Sequence, residues 1–358
     1  MKQKMVRVLS AALIGAMALG LAACGSGKGD SGNAGNAGSA ASEGTASADK
    51  GYTIGIVVKT NGNPNFREMA YGAVEAGKDL GCKIIPMACE SDGDIAGQTQ
   101  KIEDLLSKGC DAIIASPQDS EGIATAVEEC AAKGIPFVAI DTMVAGDAAK
   151  DTACYLGIDN IAAGKAVGTA LAEKMGGKGN VVIIEGVAGA SSSIERTEGF
   201  KQAFAEYPDI KIVGDQNADF DQSKAQQKMA DILQSTKDID GVVCCNDLMA
   251  LGCITSLEEA GLKPGEDVIV AGYDISSPGL TAIQEGKMYC AGYQWGKYYG
   301  YWGVEMAIQA IEGSPMPDKI PTPSSIVYNS ADAAAQNGMD VEKIKPFADM
   351  LAEYDFGW

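Results

Sequence analysis

The sequence predicts an α/β fold of two doubly wound, Rossmann-like lobes, each built on a parallel sheet. From Tyr52 onward, short apolar runs alternate with amphipathic stretches of helical period. Continuous apolar runs are typical of strands that are buried on both faces. Glycine follows many of the helical stretches, as it does at helix C-termini. The pattern contains more strands than one sheet usually holds, so we expect two sheets with a break near Gly157.

The predicted elements follow from these runs in chain order. Strands are predicted at 52–58, 83–87, 112–115, 137–140, 153–158, 181–184, 210–213, 242–245, 268–271 and 288–293. Helices are predicted at 64–80, 95–107, 120–132, 161–175, 193–206, 222–234, 248–260, 279–285 and 296–311. Prolines between 315 and 323 predict an irregular connection. Several passages of the chain between the two lobes would form a hinge.

The first fifty residues are predicted to lie outside the fold. An apolar run at 8–19 and the sequence Leu21-Ala22-Ala23-Cys24 resemble a bacterial lipoprotein signal, in which the cysteine is acylated. The run is short for a transmembrane span, although an uncleaved anchor helix is the alternative. We therefore expect a signal peptide at 1–23 and a flexible Gly/Ser-rich linker at 24–50 that starts from lipidated Cys24. The lipid would hold the protein at the outer face of the cell membrane.

Composition excludes several classes of function. The net charge of −20 disfavours binding to nucleic acid or to anionic lipid. Histidine is absent from the sequence, which removes His-based triads and His-ligated metals. The sequence contains no P-loop and no G-x-G-x-x-G motif after a strand, and we expect no cofactor, no metal and no enzymatic activity. The cysteines lie mostly in apolar runs, which favours buried thiols over a disulfide framework.

The stretch 241–252 carries the clearest functional signal. Its apolar run ends in Asn246-Asp247, directly before a predicted helix. These polar residues are either an ordinary helix cap or ligand-binding groups, because ligands bind at the carboxyl ends of strands in open α/β sheets. Other predicted strands are also followed by polar or aromatic residues, namely Asn63, Phe66, Asp141, Thr142, Arg196, Phe220, Asp274 and Gln294.

Each of these residues alone has a structural explanation as a turn former, a cap, a surface charge or a core aromatic. Together they place carboxylates, carboxamides, one guanidinium and two aromatic rings at one edge. That set suits a neutral, polyhydroxylated ligand, because vicinal hydroxyls both donate and accept hydrogen bonds. A phosphate ligand would require more basic residues.

An ordered series of segments resembles a known family. The segments are 57–64, 135–141, 186–189, 195–200, 218–221, 246–252 and 271–274. The series is similar to the type I periplasmic sugar-binding proteins of ABC importers, and within them to those related to ribose-binding protein. The resemblance covers about residues 52–328, so the tail 331–358 has no functional account.

The resemblance implies two lobes joined by three crossings, with the ligand in the cleft between them. It implies a first lobe of 51–157 plus 295–322, a second of 158–294 plus 323–358, a monomer, and an ABC permease as partner. The family's sugar ligands fall on Asn63, Phe66, Asp141, Arg196, Phe220, Asn246, Asp274 and Gln294. Ribose-type members have an arginine at the position of Thr142 and an aromatic at that of Asn65, so we expect another pentose, a hexose or a cyclic polyol.

Three other functions fit parts of the pattern. A sugar-sensing receptor that docks a membrane sensor would bind the same ligand. A regulator core of the lactose-repressor type would need a basic helix-turn-helix, where residues 1–50 have a lipoprotein signal and a linker. A surface glycosidase would use paired carboxylates.

Overall fold

The computed structural model describes residues 51–322 and 324–328. The predicted signal peptide 1–23, the linker 24–50 with Cys24, and the tail 331–358 lie outside the described residues. Among the helices of the described part, none is long and apolar enough to cross a membrane. Eight of the nine cysteines in this part are buried thiols.

The first lobe is built on a six-stranded parallel sheet. Its strands are β1 (Thr53–Val58), β2 (Lys83–Ala88), β3 (Ala112–Ala115), β4 (Phe137–Ile140), β5 (Cys154–Gly157) and β11 (Lys319–Pro321). Their order across the sheet is β2-β1-β3-β4-β5-β11. The order reverses at β1, and this switch point opens a crevice at the carboxyl ends of β1 and β3.

The second lobe repeats this arrangement. Its strands are β6 (Lys178–Glu185), β7 (Asp209–Asn217), β8 (Gly241–Cys244), β9 (Ile269–Tyr273), β10 (Cys290–Gln294) and β12 (Ser324–Tyr328). Their order is β7-β6-β8-β9-β10-β12, with the switch point at β6. The strand β12 runs antiparallel to β10, which is the exception to the predicted parallel sheets.

Helices cover both faces of the sheets. They are α1 (Pro64–Leu80), α2 (Ile95–Ser107), α3 (Ala124–Ala132), α4 (Asn160–Lys174), α5 (Ser191–Ala205), α6 (Gln222–Ser235), α7 (Asp247–Glu259), α8 (Ser277–Gln284) and α9 (Gly296–Ile311). In the first lobe, Met69 of α1 and Tyr299 of α9 belong to the core on one face of the sheet, and Ile102 of α2 belongs to the core on the other. The second lobe has one continuous core.

The chain passes between the two sheets after β5, after β10 and between β11 and β12. The prediction of an irregular connection at 315–323 was wrong in part, because Lys319–Pro321 adds an edge strand to the first sheet. Edge strands tolerate proline, since one side of the strand has no partner to hydrogen-bond. The three passages bring the carboxyl ends of the two sheets face to face.

Candidate functional site

A small cavity lies between the carboxyl ends of the two sheets. Its lining residues are Lys59, Asn63, Phe66, Asp141, Ser192, Arg196, Phe220, Asp274 and Gln294. Seven of the nine predicted ligand-binding residues are in this set, and Thr142 and Asn246 are not. The cavity volume is about 10 Å³, which is room for about one water molecule. At this point between the carboxyl ends of the sheets, the space is therefore filled by the protein's own side chains.

Asp141 is the most densely bonded carboxylate of the site. It follows β4 and receives hydrogen bonds from Ser116 Oγ at 3.1 Å, from Thr142 Oγ1 at 3.1 Å and from Gln294 Nε2 at 3.2 Å. Lys59 Nζ lies 3.3 Å from its Oδ2. Burial raises the pKa of Asp141, but Lys59, Arg196 and the hydroxyl donors outweigh burial and hold the pKa below its usual value. Asp141 is therefore a charged acceptor at neutral pH.

Arg196 provides the guanidinium of the second lobe. Its Nη1 lies 3.6 Å from Asp274 Oδ1, and its plane stacks on the ring of Tyr273 at 3.9 Å. Nε donates to Asn160 Oδ1 at 3.0 Å, and Nη1 donates to Cys245 O at 2.9 Å. Among the described residues Nη2 has no hydrogen-bond partner, although it is buried. The guanidinium is held rigidly, and its Nη2 can therefore donate a hydrogen bond to another acceptor.

Gln294 connects the carboxylates of the two lobes. Its Nε2 donates to Asp141 Oδ1 at 3.2 Å and to Asp274 Oδ1 at 2.8 Å. Its Oε1 accepts from Tyr299 OH at 3.3 Å. Because Gln294 ends β10, directly before the passage into α9, the amide sits where the two lobes join.

Asp141 and Asp274 also share an unusual backbone conformation. Their φ angles are 64° and 88°, in the left-handed region. Such a conformation costs a residue other than glycine about 1–3 kcal/mol, and it persists where the surroundings fix it. Both aspartates thus turn sharply out of their strands at the same edge, which is typical of a functional site.

The structure adds Lys59 and Ser192 to the predicted set. Lys59 follows β1 and is 1% exposed. Its Nζ donates to Thr142 Oγ1 at 2.7 Å and lies over the rings of Phe66 and Phe220, at 5.6 and 5.3 Å from their centroids. Lys59 thus brings a cation to Thr142 from the end of β1, two strands away in the sheet. Lys59 follows a strand as the other site residues do, but its burial depends on tertiary contacts that the sequence does not show.

Thr142 and Asn246 support the cavity from outside its lining. Thr142 Oγ1 lies 3.1 Å from Ser192 Oγ of the other lobe. Asn246 caps α7, because its Oδ1 accepts from Met249 N at 2.9 Å, and its Nδ2 donates to Phe220 O at 3.2 Å. Asn246 thus acts as the helix cap that its sequence position suggested and also positions Phe220. The ligand role of both residues stays a prediction.

Comparison with known proteins identifies the family. Residues 54–315 match the model of the periplasmic binding protein domain. The chain belongs to this family. The family consists of solute-binding proteins, which are not enzymes, and membership indicates an extracytoplasmic location.

Three relatives of this binding protein are similar over most of their length. The ribose import binding protein of Haemophilus influenzae is 32% identical, and the match covers 79% of this chain and 94% of the relative. A solute-binding protein of Actinobacillus succinogenes with bound D-allose is 32% identical, with a TM-score of 0.73 and coverage of 78% and 98%. A solute-binding protein of Bacillus halodurans with bound myo-inositol is 28% identical, with a TM-score of 0.73 and coverage of 82% and 99%.

A second buried carboxylate makes stability depend on pH. Asp247 is fully buried beside the loop that carries Asp274, and it accepts a hydrogen bond from Ser276 N at 2.5 Å. Burial, and then the charge of Asp274, raises its pKa to about 7. Because the unfolded-state pKa is about 3.9, the folded protein retains a proton that the unfolded chain loses between about pH 4 and 7. The free energy of unfolding should therefore fall with rising pH in this window, by at most about 1.4 kcal/mol per unit.

Urea denaturation at pH 5, 6, 7 and 8 measures this dependence. Asp247→Asn should flatten the slope between pH 5 and 7, because the amide has no proton to lose. Asp231→Asn, at an exposed helix position, should leave the slope unchanged. An equal slope in wild type and Asp247→Asn would assign the dependence to other groups.

Proposed function

We propose that this protein is the extracytoplasmic solute-binding component of an ABC importer, and that it binds a monosaccharide or a cyclic polyol between its lobes. The observation that carries the proposal is the balance between basic and acidic side chains in the lining of the cavity. Lys59 and Arg196 lie with Asp141 and Asp274, so two basic and two acidic side chains line one space. A neutral ligand enters such a site without bringing an uncompensated charge into it.

The chemistry of the lining supports a hydroxyl-rich ligand. The carboxylates accept hydrogen bonds, whereas Lys59, Arg196 and Gln294 donate them. A hydroxyl can do both, so neighbouring hydroxyls can replace the pairs that the side chains now make with each other. Charge-assisted hydrogen bonds contribute about 1.5–3 kcal/mol each, so a few of them suffice for micromolar affinity. The rings of Phe66, from the first lobe, and Phe220, from the second, line this space and can cover the apolar faces of a sugar ring.

The size of the cavity implies that the lobes move. A monosaccharide is much larger than the single water molecule that the cavity would hold, so the lobes must separate before it enters. They then close on it, and contacts from both lobes make the closed form the favoured one. The relatives bind D-allose and myo-inositol according to their structures, and we extend that class of ligand to this chain. No bond of the ligand is made or broken.

Calorimetric titration against D-ribose, D-allose, D-arabinose, xylitol and myo-inositol tests the proposal. We expect micromolar or tighter binding of at least one of them. Asp141→Asn should weaken that binding by about tenfold or more, whereas Asp147→Asn, at an exposed position of the same lobe, should not change it. An absence of heat with every sugar and polyol would count against the function.

The lipid anchor on Cys24 is part of the proposal. A lipid on this residue and the linker 24–50 would keep the protein at the membrane, where a permease can receive the ligand. We expect Cys24→Ser to move the protein from the membrane fraction to the soluble fraction and to leave sugar affinity unchanged. Fractionation of cells that express each form measures this, and an unchanged distribution would contradict acylation at Cys24.

A further inference from the structure

The two lobes contact each other directly outside the ligand cavity. The backbone N–H of Ser120 donates to Gly189 O at 2.9 Å, and Ser120 Oγ accepts from the N–H of Ser191 at 3.0 Å. The N–H of Met143 donates to Ser191 Oγ at 2.9 Å. Ser120 and Met143 belong to the first lobe, and Gly189 and Ser191 to the second. These residues line a different cavity, of about 450 Å³, and none of them lines the ligand cavity.

The contact between Ser120 and Ser191 completes a helix. The helix α5 begins at Ser191, and its N-cap residue Ala190 has no side chain that can accept a hydrogen bond from the first turn. The first backbone N–H groups of a helix need acceptors from outside the helix. Ser120 of the opposite lobe supplies one of them, so the cap of α5 forms only when the lobes are together. The same helix carries Arg196 and Ser192 into the ligand cavity.

Gly189 makes this approach sterically possible. A Cβ atom at Gly189 would overlap Asp119 Oδ2, and its three nearest atoms all belong to Asp119 of the opposite lobe. Asp119 cannot easily move aside, because its Oδ1 accepts from Glu121 N at 2.9 Å and from Gly122 N at 2.7 Å. A methyl group at position 189 would therefore be tolerated within the second lobe and would collide only with the first.

We propose that Ser120, Gly189 and Ser191 form an interlobe latch that sets the equilibrium between separated and closed lobes. They are positioning residues, which act on ligand affinity without touching the ligand. The proposal rests on the proposed function only in that the closed form is the one that holds the sugar. Weakening the latch lowers the closed fraction, and the apparent Kd of every ligand rises by the same factor.

Two variants and their controls test the latch. Gly189→Ala places the methyl group against Asp119, and Ser120→Ala removes the acceptor for Ser191 N. Gly214→Ala is the matched glycine control, since a Cβ there would meet only side chains of its own lobe at 3.4 Å or more. Ser235→Ala is the matched serine control, because Ser235 Oγ bonds only within its own helix, to Ile232 O at 3.1 Å. Asp119→Ala in the Gly189→Ala background removes the collision.

The first measurement needs no sugar. Small-angle X-ray scattering of the unliganded proteins should give a larger radius of gyration for Gly189→Ala than for wild type and Gly214→Ala. The double variant should return to the radius of Asp119→Ala alone. Equal radii for wild type and Gly189→Ala, both matching the closed structure, would overturn the latch, whatever the protein binds.

The second measurement is calorimetry with two or more ligands. We expect Gly189→Ala to raise Kd by about tenfold or more and Ser120→Ala to raise it by about threefold. The ratio of the Kd values of any two ligands should stay unchanged, because both values rise by the same factor. If the Kd of each ligand rose by a different factor, these residues would belong to the ligand site, and their positioning role would be overturned. If wild type binds no sugar, the proposed function fails, and the scattering comparison still decides the latch.

Discussion

Arg196→Ala should lower ligand affinity by about a hundredfold or more. The substitution removes the guanidinium that fixes Asp274 and offers Nη2 to a ligand. It also leaves Asp274, which is buried, without its cationic partner. Removing one member of a buried ion pair costs about 3–5 kcal/mol, because the remaining charge keeps its desolvation penalty. The free energy of unfolding should therefore fall together with the affinity.

Calorimetry and urea denaturation at pH 7 separate the two effects. Arg67→Ala is the matched control, because Arg67 is exposed and bonds only to Asn61 O, at 2.6 Å. It should change affinity less than twofold and stability by less than about 0.5 kcal/mol. Arg196→Lys should lie between wild type and Arg196→Ala, because it keeps the charge but loses the planar stacking on Tyr273. Full binding by a folded Arg196→Ala protein would remove Arg196 from the site.

The positions of the main site residues could be predicted because parallel strands bring their carboxyl ends to one edge. Asp141 and Asp274 each follow a strand in the sequence, and the structure places both within reach of Gln294 Nε2. Arg196 lies in the first half of α5, which follows a strand and starts at the same edge. The lobe pairing came from the resemblance, because strand periodicity does not tell which strands share a sheet.

Three features could not be predicted, namely the burial of Lys59, the edge strand of the first sheet and the latch. Each depends on contacts between residues that are distant in sequence. A lysine after a strand usually extends into solvent, and Lys59 is buried only because Thr142 and the two phenylalanines surround it. The strand at Lys319–Pro321 has three residues, too few for a periodic pattern. The latch likewise has no sequence signal, since Ser120 reads as the first residue of a predicted helix and Ser191 as a residue of the turn before one. Such features follow from tertiary contacts within and between the lobes.

Lys59→Met should lower ligand affinity by about tenfold or more and reverse the contribution of Asp141 to the pH dependence of stability. In the wild type, Asp141 has a lowered pKa, so its charge stabilises the fold above the unfolded pKa of about 3.9, and this stabilisation is lost as pH falls through the folded pKa. Lys59 is the largest influence that lowers this pKa, and burial opposes it. Without Lys59 the pKa should rise above the unfolded value. The free energy of unfolding should then fall as pH rises between those two values.

Urea denaturation of Lys59→Met and wild type at pH 4.5, 6 and 7.5 measures the difference in slope. Methionine keeps the length of the side chain, so the packing between Phe66 and Phe220 is retained while the charge is removed. Lys133→Met is the matched control, since Lys133 is half exposed and pairs with Glu129 on the surface of the first lobe. Parallel pH profiles for Lys59→Met and wild type would mean that Arg196 and the hydroxyl donors alone keep Asp141 ionised. A Lys59→Met protein with full affinity and a changed profile would assign Lys59 to the electrostatics of Asp141 and not to the ligand.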